Sequence, residues 1–124
     1  MELAVYISGK VTGEDKELCK KKFESAENRL RKLGVLTVIN PMKLGIPDTW
    51  THDKEMELCM KVLRKKANAL FQLNDWISSE GSMEEYMHAR NHGYRIFDED
   101  ATDDLVKIIA HDGKWIDTSH LEFP

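Results

Sequence analysis

Disulfides cannot hold this chain together. Its only cysteines, Cys19 and Cys59, each lie inside a Lys- and Leu-rich helical pattern and make no framework, which fits a reduced, cytoplasmic protein. No apolar run approaches the roughly 18 residues a membrane helix needs and no signal peptide is visible, so a membrane is not an expected partner. A basic excess is missing as well. The formal net charge is −4, and a nucleic-acid polymer is not an expected partner, because proteins that grip the phosphate backbone show a basic face. The one basic run, Lys20-Lys21-Lys22, is interleaved with Glu17, Glu24 and Glu27 and reads as a solvated helix face. Neither linker nor repeat divides the sequence. Its 124 residues can bury a core without disulfides or metal, so residues 1–124 are read as one domain.

What is present is an alternation of short apolar runs and amphipathic stretches. Leu3 to Ile7 predicts a buried strand, since a parallel strand covered on both faces need not alternate. Leu18, Phe23, Ala26, Leu30 and Leu33 predict a helix from Glu14 to Leu33, stopped by Gly34. Val35 to Ile39 is a second strand, ended by Asn40-Pro41 because proline cannot continue a ladder. After a loop containing Gly45 and Pro47, a helix runs from His52 to Lys66 with Met56, Cys59, Met60 and Leu63 as its buried stripe; the methionines there read as core filler. Ala69 to Leu73 is the third strand and Tyr94 to Phe97 the fourth. Ala101 to His111 predicts a last helix, carrying Leu105, Ile108 and Ile109. The tail, residues 113–124, holds Trp115, Ile116, Leu121 and Phe123, too apolar for a disordered end, and is expected to pack on something. The order βαβαβαβα predicts an α/β fold with an open parallel sheet and right-handed crossovers. Its natural ligand site is the crevice between the first and third strands, where the strand order reverses.

The stretch from Asn68 to Gly93 organises the rest. Its strand breaks at Asn74-Asp75, a polar loop runs from Trp76 to Glu80, and Gly81-Ser82 opens a helix whose Met83, Tyr86, Met87 and Ala89 recur at helical spacing until Gly93 caps it. Free backbone N–H groups and the positive end of the helix dipole meet in that loop, which suits an anionic or hydroxyl-rich ligand. Glu85, one turn into the helix, can face the same crevice. The first strand ends at Ser8-Gly9-Lys10-Val11-Thr12-Gly13, where two glycines allow close backbone approach and Ser8 and Thr12 can donate hydrogen bonds. A carboxylate facing hydroxyls and backbone N–H groups is the minimum equipment for attack at a sugar's anomeric carbon. The plain alternatives are a loop that only turns the chain and a solvated glutamate.

Three stretches carry a resemblance: Tyr6-Ile7-Ser8-Gly9-Lys10-Val11-Thr12-Gly13, Val38-Ile39-Asn40-Pro41, and Trp76-Ile77-Ser78-Ser79-Glu80-Gly81-Ser82-Met83-Glu84-Glu85. They look like the signatures YISGPITG, VVNP and GWxxSxGAxxE of a small bacterial and phage family that is similar to the nucleoside 2-deoxyribosyltransferases and deoxynucleoside 5′-monophosphate N-glycosidases. The resemblance implies a flavodoxin-like (Rossmann-like) three-layer sandwich with four or five parallel strands, and a glutamate nucleophile acting without a cofactor. In it Glu85 matches the glutamate that attacks C1′, and Tyr6 the tyrosine that hydrogen-bonds it. Ser79 and Gly81 match the loop at the sugar's 5′ end or its phosphate, and Ser8 and Gly9 the turn beside base and sugar. With Lys10, Gly13, Asn74, Asp75, Trp76 and Ser82 these make the expected substrate-binding set, for a small nucleoside or nucleotide. The relatives are similar oligomers, so a homodimer or larger assembly is expected, with the tail as its surface or folded back on its own subunit.

The departures bear on activity. The active enzymes carry an acid in the second helix, eight positions before an aspartate that starts the third strand; here Met60 and Asn68 stand there. Glu57, nearly on the same helix face as Met60, is a candidate substitute. Lys10 replaces a proline and would favour a phosphorylated ligand. A nucleotide-binding module of the same fold without turnover is therefore the rival reading. Glu85, His88 and His92 also share a helical face, yet one helix supplies only part of a metal shell and no second Glu-x-x-His follows, so no metal is assigned. His52, His111 and His120 read as surface residues.

Overall fold

The computed structural model describes residues 3–100. Four strands, β1 (Ala4–Ser8), β2 (Thr37–Ile39), β3 (Ala69–Gln72) and β4 (Arg95–Asp98), alternate with three helices, α1 (Lys16–Lys32), α2 (His52–Lys66) and α3 (Glu80–Asn91). The strands form one all-parallel sheet in the order β2-β1-β3-β4. This is the α/β architecture the alternation predicts, with the helices in layers on both faces of the sheet as in a flavodoxin-like sandwich. The order reverses between β1 and β3, where the chain leaves the carboxyl ends of two adjacent strands toward opposite faces.

Strand periodicity divides the core in two. Val5 and Ile7 of β1, with Ala69 and Phe71 of β3, face α1 and pack on Cys19, Phe23, Ala26 and Leu30. Tyr6 and Leu70 face the other way, onto Cys59 and Leu63 of α2 and Ala89 of α3. Along this second face the sheet turns polar toward the strands' carboxyl ends. Ser8 and Gln72, partners in the β1–β3 register, are both buried there.

Most predicted elements keep their places, and α2 keeps its bounds. The differences have local causes. The helix expected from Glu14 begins at Lys16, because the Asp15 carboxylate caps it by accepting the Leu18 N–H at 3.0 Å. Leu18, expected in the buried stripe, is 66% exposed. The stripe runs through Cys19, Phe23, Ala26 and Leu30, and Leu18 falls about 100° off it. Val35 is buried ahead of β2 rather than within it, its N–H donating to the Leu30 carbonyl. Of the α2 stripe, Cys59 and Leu63 are buried, while Met56 and Met60 are half-buried. The loop expected from Trp76 to Glu80 contains one 3-10 turn, Trp76–Ser78, and α3 starts at Glu80, with Ser79 as the cap accepting the Ser82 N–H. Met83 and Met87 lie exposed on α3. The helix face turned to the sheet is Ser82, Glu85 and Ala89. The expected helix 101–111 and the tail 113–124 lie outside the described residues.

Candidate active site

Two neighbouring elements place Glu85. The Ser79 cap fixes the start of α3, and the spacing of Ser82, Glu85 and Ala89 turns the second of them onto the polar end of β1. There Ser8 Oγ donates a hydrogen bond to Glu85 Oε1 at 2.7 Å. Glu85 is 5% exposed. Burial raises its pKa to about 7, although the Ser8 and Tyr6 hydroxyls pull the other way. Tyr6 Oη is fully buried beside the carboxyl and the Cys59 thiol, close enough to act on both but in hydrogen-bond geometry with neither. Burial, then the charge of Glu85, holds the Tyr6 pKa well above its ordinary value, so the phenol keeps its proton. Burial likewise pushes the Cys59 thiol up to about 11, with Tyr6 opposing and Glu85 and Glu55 adding to the rise. Ser82 Oγ is a second buried hydroxyl without a partner. Buried polar atoms are almost always satisfied. Tyr6 and Ser82 line the same cleft as Glu85, which marks a place prepared for something polar to bind.

Above this floor lies a cleft of about 530 Å³, its open mouth included. Tyr6, Gly9, Ser79, Gly81, Ser82 and Glu85 border it. Two glycines here come close to neighbouring side chains. A Cβ on Gly9 would stand 2.7 Å from Leu73 Cδ1, and one on Gly81 would stand 2.7 Å from Met56 Sδ. The cleft continues into two unlike spaces. One lies at the N-terminus of α3, bordered by Lys10, Thr12, His52, Ser78, Ser79 and Glu80. The other is wider, with Val11, Pro41, Met42, Ile46 and Glu55 where it meets the cleft and Glu14, Lys16, Lys20 and Asp48 farther out.

Several expected site residues do other work. The Asp75 carboxylate accepts the Lys10 N–H at 3.0 Å and pairs with Lys22 Nζ at 2.6 Å, and the same ammonium donates to the Lys10 carbonyl at 2.9 Å. Burial opposes the charge on Asp75, but these bonds outweigh it and lower the pKa. Asp75 is thus a clamp that ties the loop after β1 to the loop after β3. Trp76 packs on Tyr86 with ring centroids 4.9 Å apart. Asn74 is exposed, its N–H donating to Glu99 Oε1 at 3.0 Å. Gly13 is exposed in the β1–α1 loop with φ +81°. Glu57 is exposed and borders a shallow depression with Met60 and Glu84, away from Glu85. Among the described residues no three His, Cys, Asp or Glu side chains are grouped so as to hold a metal ion. His88 stacks on His92, their ring centroids 4.1 Å apart.

Sequence reasoning missed the cleft's far wall. Met42 and Ile46 come from the loop after β2, and His52, Glu55 and Met56 from the first turns of α2. His52 is exposed but borders the cleft, and its Nδ1 lies 3.4 Å from Thr12 Oγ1. A helix that begins over the carboxyl end of the sheet brings its first turn to the ligand side, and the Thr51 cap was the available signal.

A parallel α/β sheet with a cleft at the carboxyl ends of its two central strands defines the class. The chain belongs to the family described as Domain of unknown function (DUF4406), which it matches over residues 3–98. No curated protein and no solved structure matches it. None of the described helices is long and apolar enough to cross a membrane.

Proposed function

We propose that the cleft binds a deoxynucleoside or its 5′-monophosphate and that Glu85 opens the glycosidic bond as a nucleophile. The observation that carries this reading is the buried Glu85 carboxyl at the cleft floor, held by Ser8, beside Tyr6 and in a cleft that the unpartnered Ser82 hydroxyl also lines. A glycosyl carboxylate ester splits a difficult displacement into two easier ones. An oxygen of Glu85 bonds to C1′ as the C1′–N bond breaks, and the electron pair leaves with the base nitrogen, which takes up a proton. Water, or a second base, then attacks C1′ and frees the carboxylate. Tyr6 and Ser82 are the donors available to sugar oxygens or to the carboxylate as its charge changes. Lys10, Thr12 and Ser79 at the N-terminus of α3 suit a 5′-phosphate.

Resemblance of the three signatures to the nucleoside 2-deoxyribosyltransferases and monophosphate glycosidases supports the same chemistry. The alternative is a nucleotide-binding module without turnover, favoured by Met60 in place of an acid and by the exposed position of Glu57. Incubation with each deoxynucleoside and each monophosphate, followed by separation of the free bases, tests the reading. Release of base that Glu85→Gln abolishes supports it. Nucleotide binding with no base released from any substrate decides for the binding module. A dimer or larger assembly belongs to the same reading, and light scattering at micromolar concentration tests it.

A further inference from the structure

The Glu85 cleft and the wider space beside it share Val11, Pro41, Met42, Ile46 and Glu55. Four of these are apolar and one is a carboxylate. Glu55 lies half-buried in the first turn of α2, one turn before Cys59 and near enough for its charge to act on that thiol at the floor. No side-chain hydrogen bond or ion pair holds the Glu55 carboxylate among the described residues. Glu27, by contrast, is gripped by Arg31, Lys43 and Asn40. The start of a helix favours a negative charge, so where the two spaces meet the apolar wall carries one carboxylate, while Glu14, Lys16, Lys20 and Asp48 border the wider space beyond that junction.

Resting on the reading of the cleft given above, we propose that Glu55 is a specificity-determining residue for the base. It selects heterocycles that present two adjacent N–H donors, as the amino-pyrimidinone edge of guanine does. An ionised carboxylate has two acceptor oxygens and no donor. Side-by-side N–H groups satisfy both oxygens at once, in the manner of a bidentate carboxylate pair. Adenine and cytosine set a ring-nitrogen lone pair next to their amino group, which opposes the second oxygen. Uracil, thymine and hypoxanthine flank a ring N–H with carbonyl oxygen. The apolar walls take the faces of the ring, and the junction of the two spaces places the sugar over Glu85.

The test compares deoxyguanosine with deoxyinosine, which differ by the 2-amino group alone. Equilibrium binding is measured to Glu85→Gln, which cannot form the ester, and to Glu85→Gln carrying Glu55→Gln. Deoxyguanosine is expected to bind about tenfold to a hundredfold more tightly to the first protein, the range for a hydrogen bond to a charged group. The gap is expected to close in the second, because an amide offers a donor as well as an acceptor. Equal binding to the first protein, or a gap that survives Glu55→Gln, overturns the role of Glu55 and leaves base release by the wild type standing. Failure of both nucleosides and of their 5′-monophosphates to bind overturns this inference together with the reading of the cleft.

Discussion

Ser8 Oγ and Glu85 Oε1 meet at 2.7 Å across 77 residues of sequence. The bond joins the last residue of β1 to the buried face of α3. It gives one carboxylate oxygen a fixed donor, with the Tyr6 hydroxyl buried close by. A glutamate removed from water and held on one side only is expensive as an anion, and that cost makes its behaviour measurable.

Activity and stability should respond to pH with opposite signs. A nucleophilic Glu85 must be ionised, so kcat/KM should rise with pH through an apparent pKa of about 7. Folding favours the neutral form, because the pKa rises from the ordinary carboxyl value of 4.5 to about 7. That stabilisation is complete below about 4.5 and is lost as pH climbs through about 7. The loss is about 3 kcal/mol. Denaturant melts of wild type and Glu85→Gln over this range should show the slope in the wild type alone. Parallel curves would mean that the carboxyl is not held neutral.

Glu27 should behave in the reverse sense. Burial opposes its charge, but hydrogen bonds from Lys43, Arg31 and Asn40 outweigh that and hold the pKa at about 2. Its contribution is present above the ordinary carboxyl pKa and is lost as pH falls toward about 2. Because Lys43 and Arg31 are half exposed, Glu27→Gln should cost about 2 kcal/mol, between the values for surface and buried pairs. Acid melts of the two proteins should converge at low pH.

Much of the fold can be read from local pattern, and the site only in part. The bounds of α2 follow from its cap and stripe, and Tyr6, Ser8 and Glu85 share the predicted crevice between β1 and β3. On α3 the apolar residues mislead, since Met83 and Met87 point to water while Ser82 and Glu85 face the sheet. A binding face lined with polar groups inverts the hydrophobic pattern by which a helix is oriented. Glu55 and Met42 reach the cleft from separate elements, and no sequence spacing records that meeting. Asp75 reads as a ligand contact because it ends a strand, yet its partner Lys22 lies in a charge run that gives no sign of it.

The two close-approach glycines should separate stability from binding. At Gly9 an added methyl would meet Cδ1, Cβ and Cγ of Leu73, which a packed core cannot move aside. Gly9→Ala should cost about 1–3 kcal/mol. At Gly81 it would meet the end of the Met56 side chain, which can swing toward the cleft. Gly81→Ala should keep nearly wild-type melting and weaken nucleoside binding; a large loss of stability would show that Met56 has nowhere to go.

The Asp75 clamp should govern the loop after β1. Asp75→Ala removes the acceptor of the Lys10 N–H and the partner of Lys22, at a cost of about 1–3 kcal/mol. Amide exchange at Lys10 should accelerate relative to the β1 amides. Unchanged protection at Lys10 would show that the loop is held by other contacts.

The most direct test of the Glu85 mechanism is the mass of the peptide that carries it. Wild-type protein is incubated with a 2-fluoro-2-deoxy nucleoside, whose fluorine slows breakdown of a glycosyl ester, then digested and weighed. The account predicts that the peptide containing Glu85 gains the mass of the fluorinated sugar and that Glu85→Gln gains nothing. Release of base with the sugar on another residue, or with no adduct on the wild type, would contradict it.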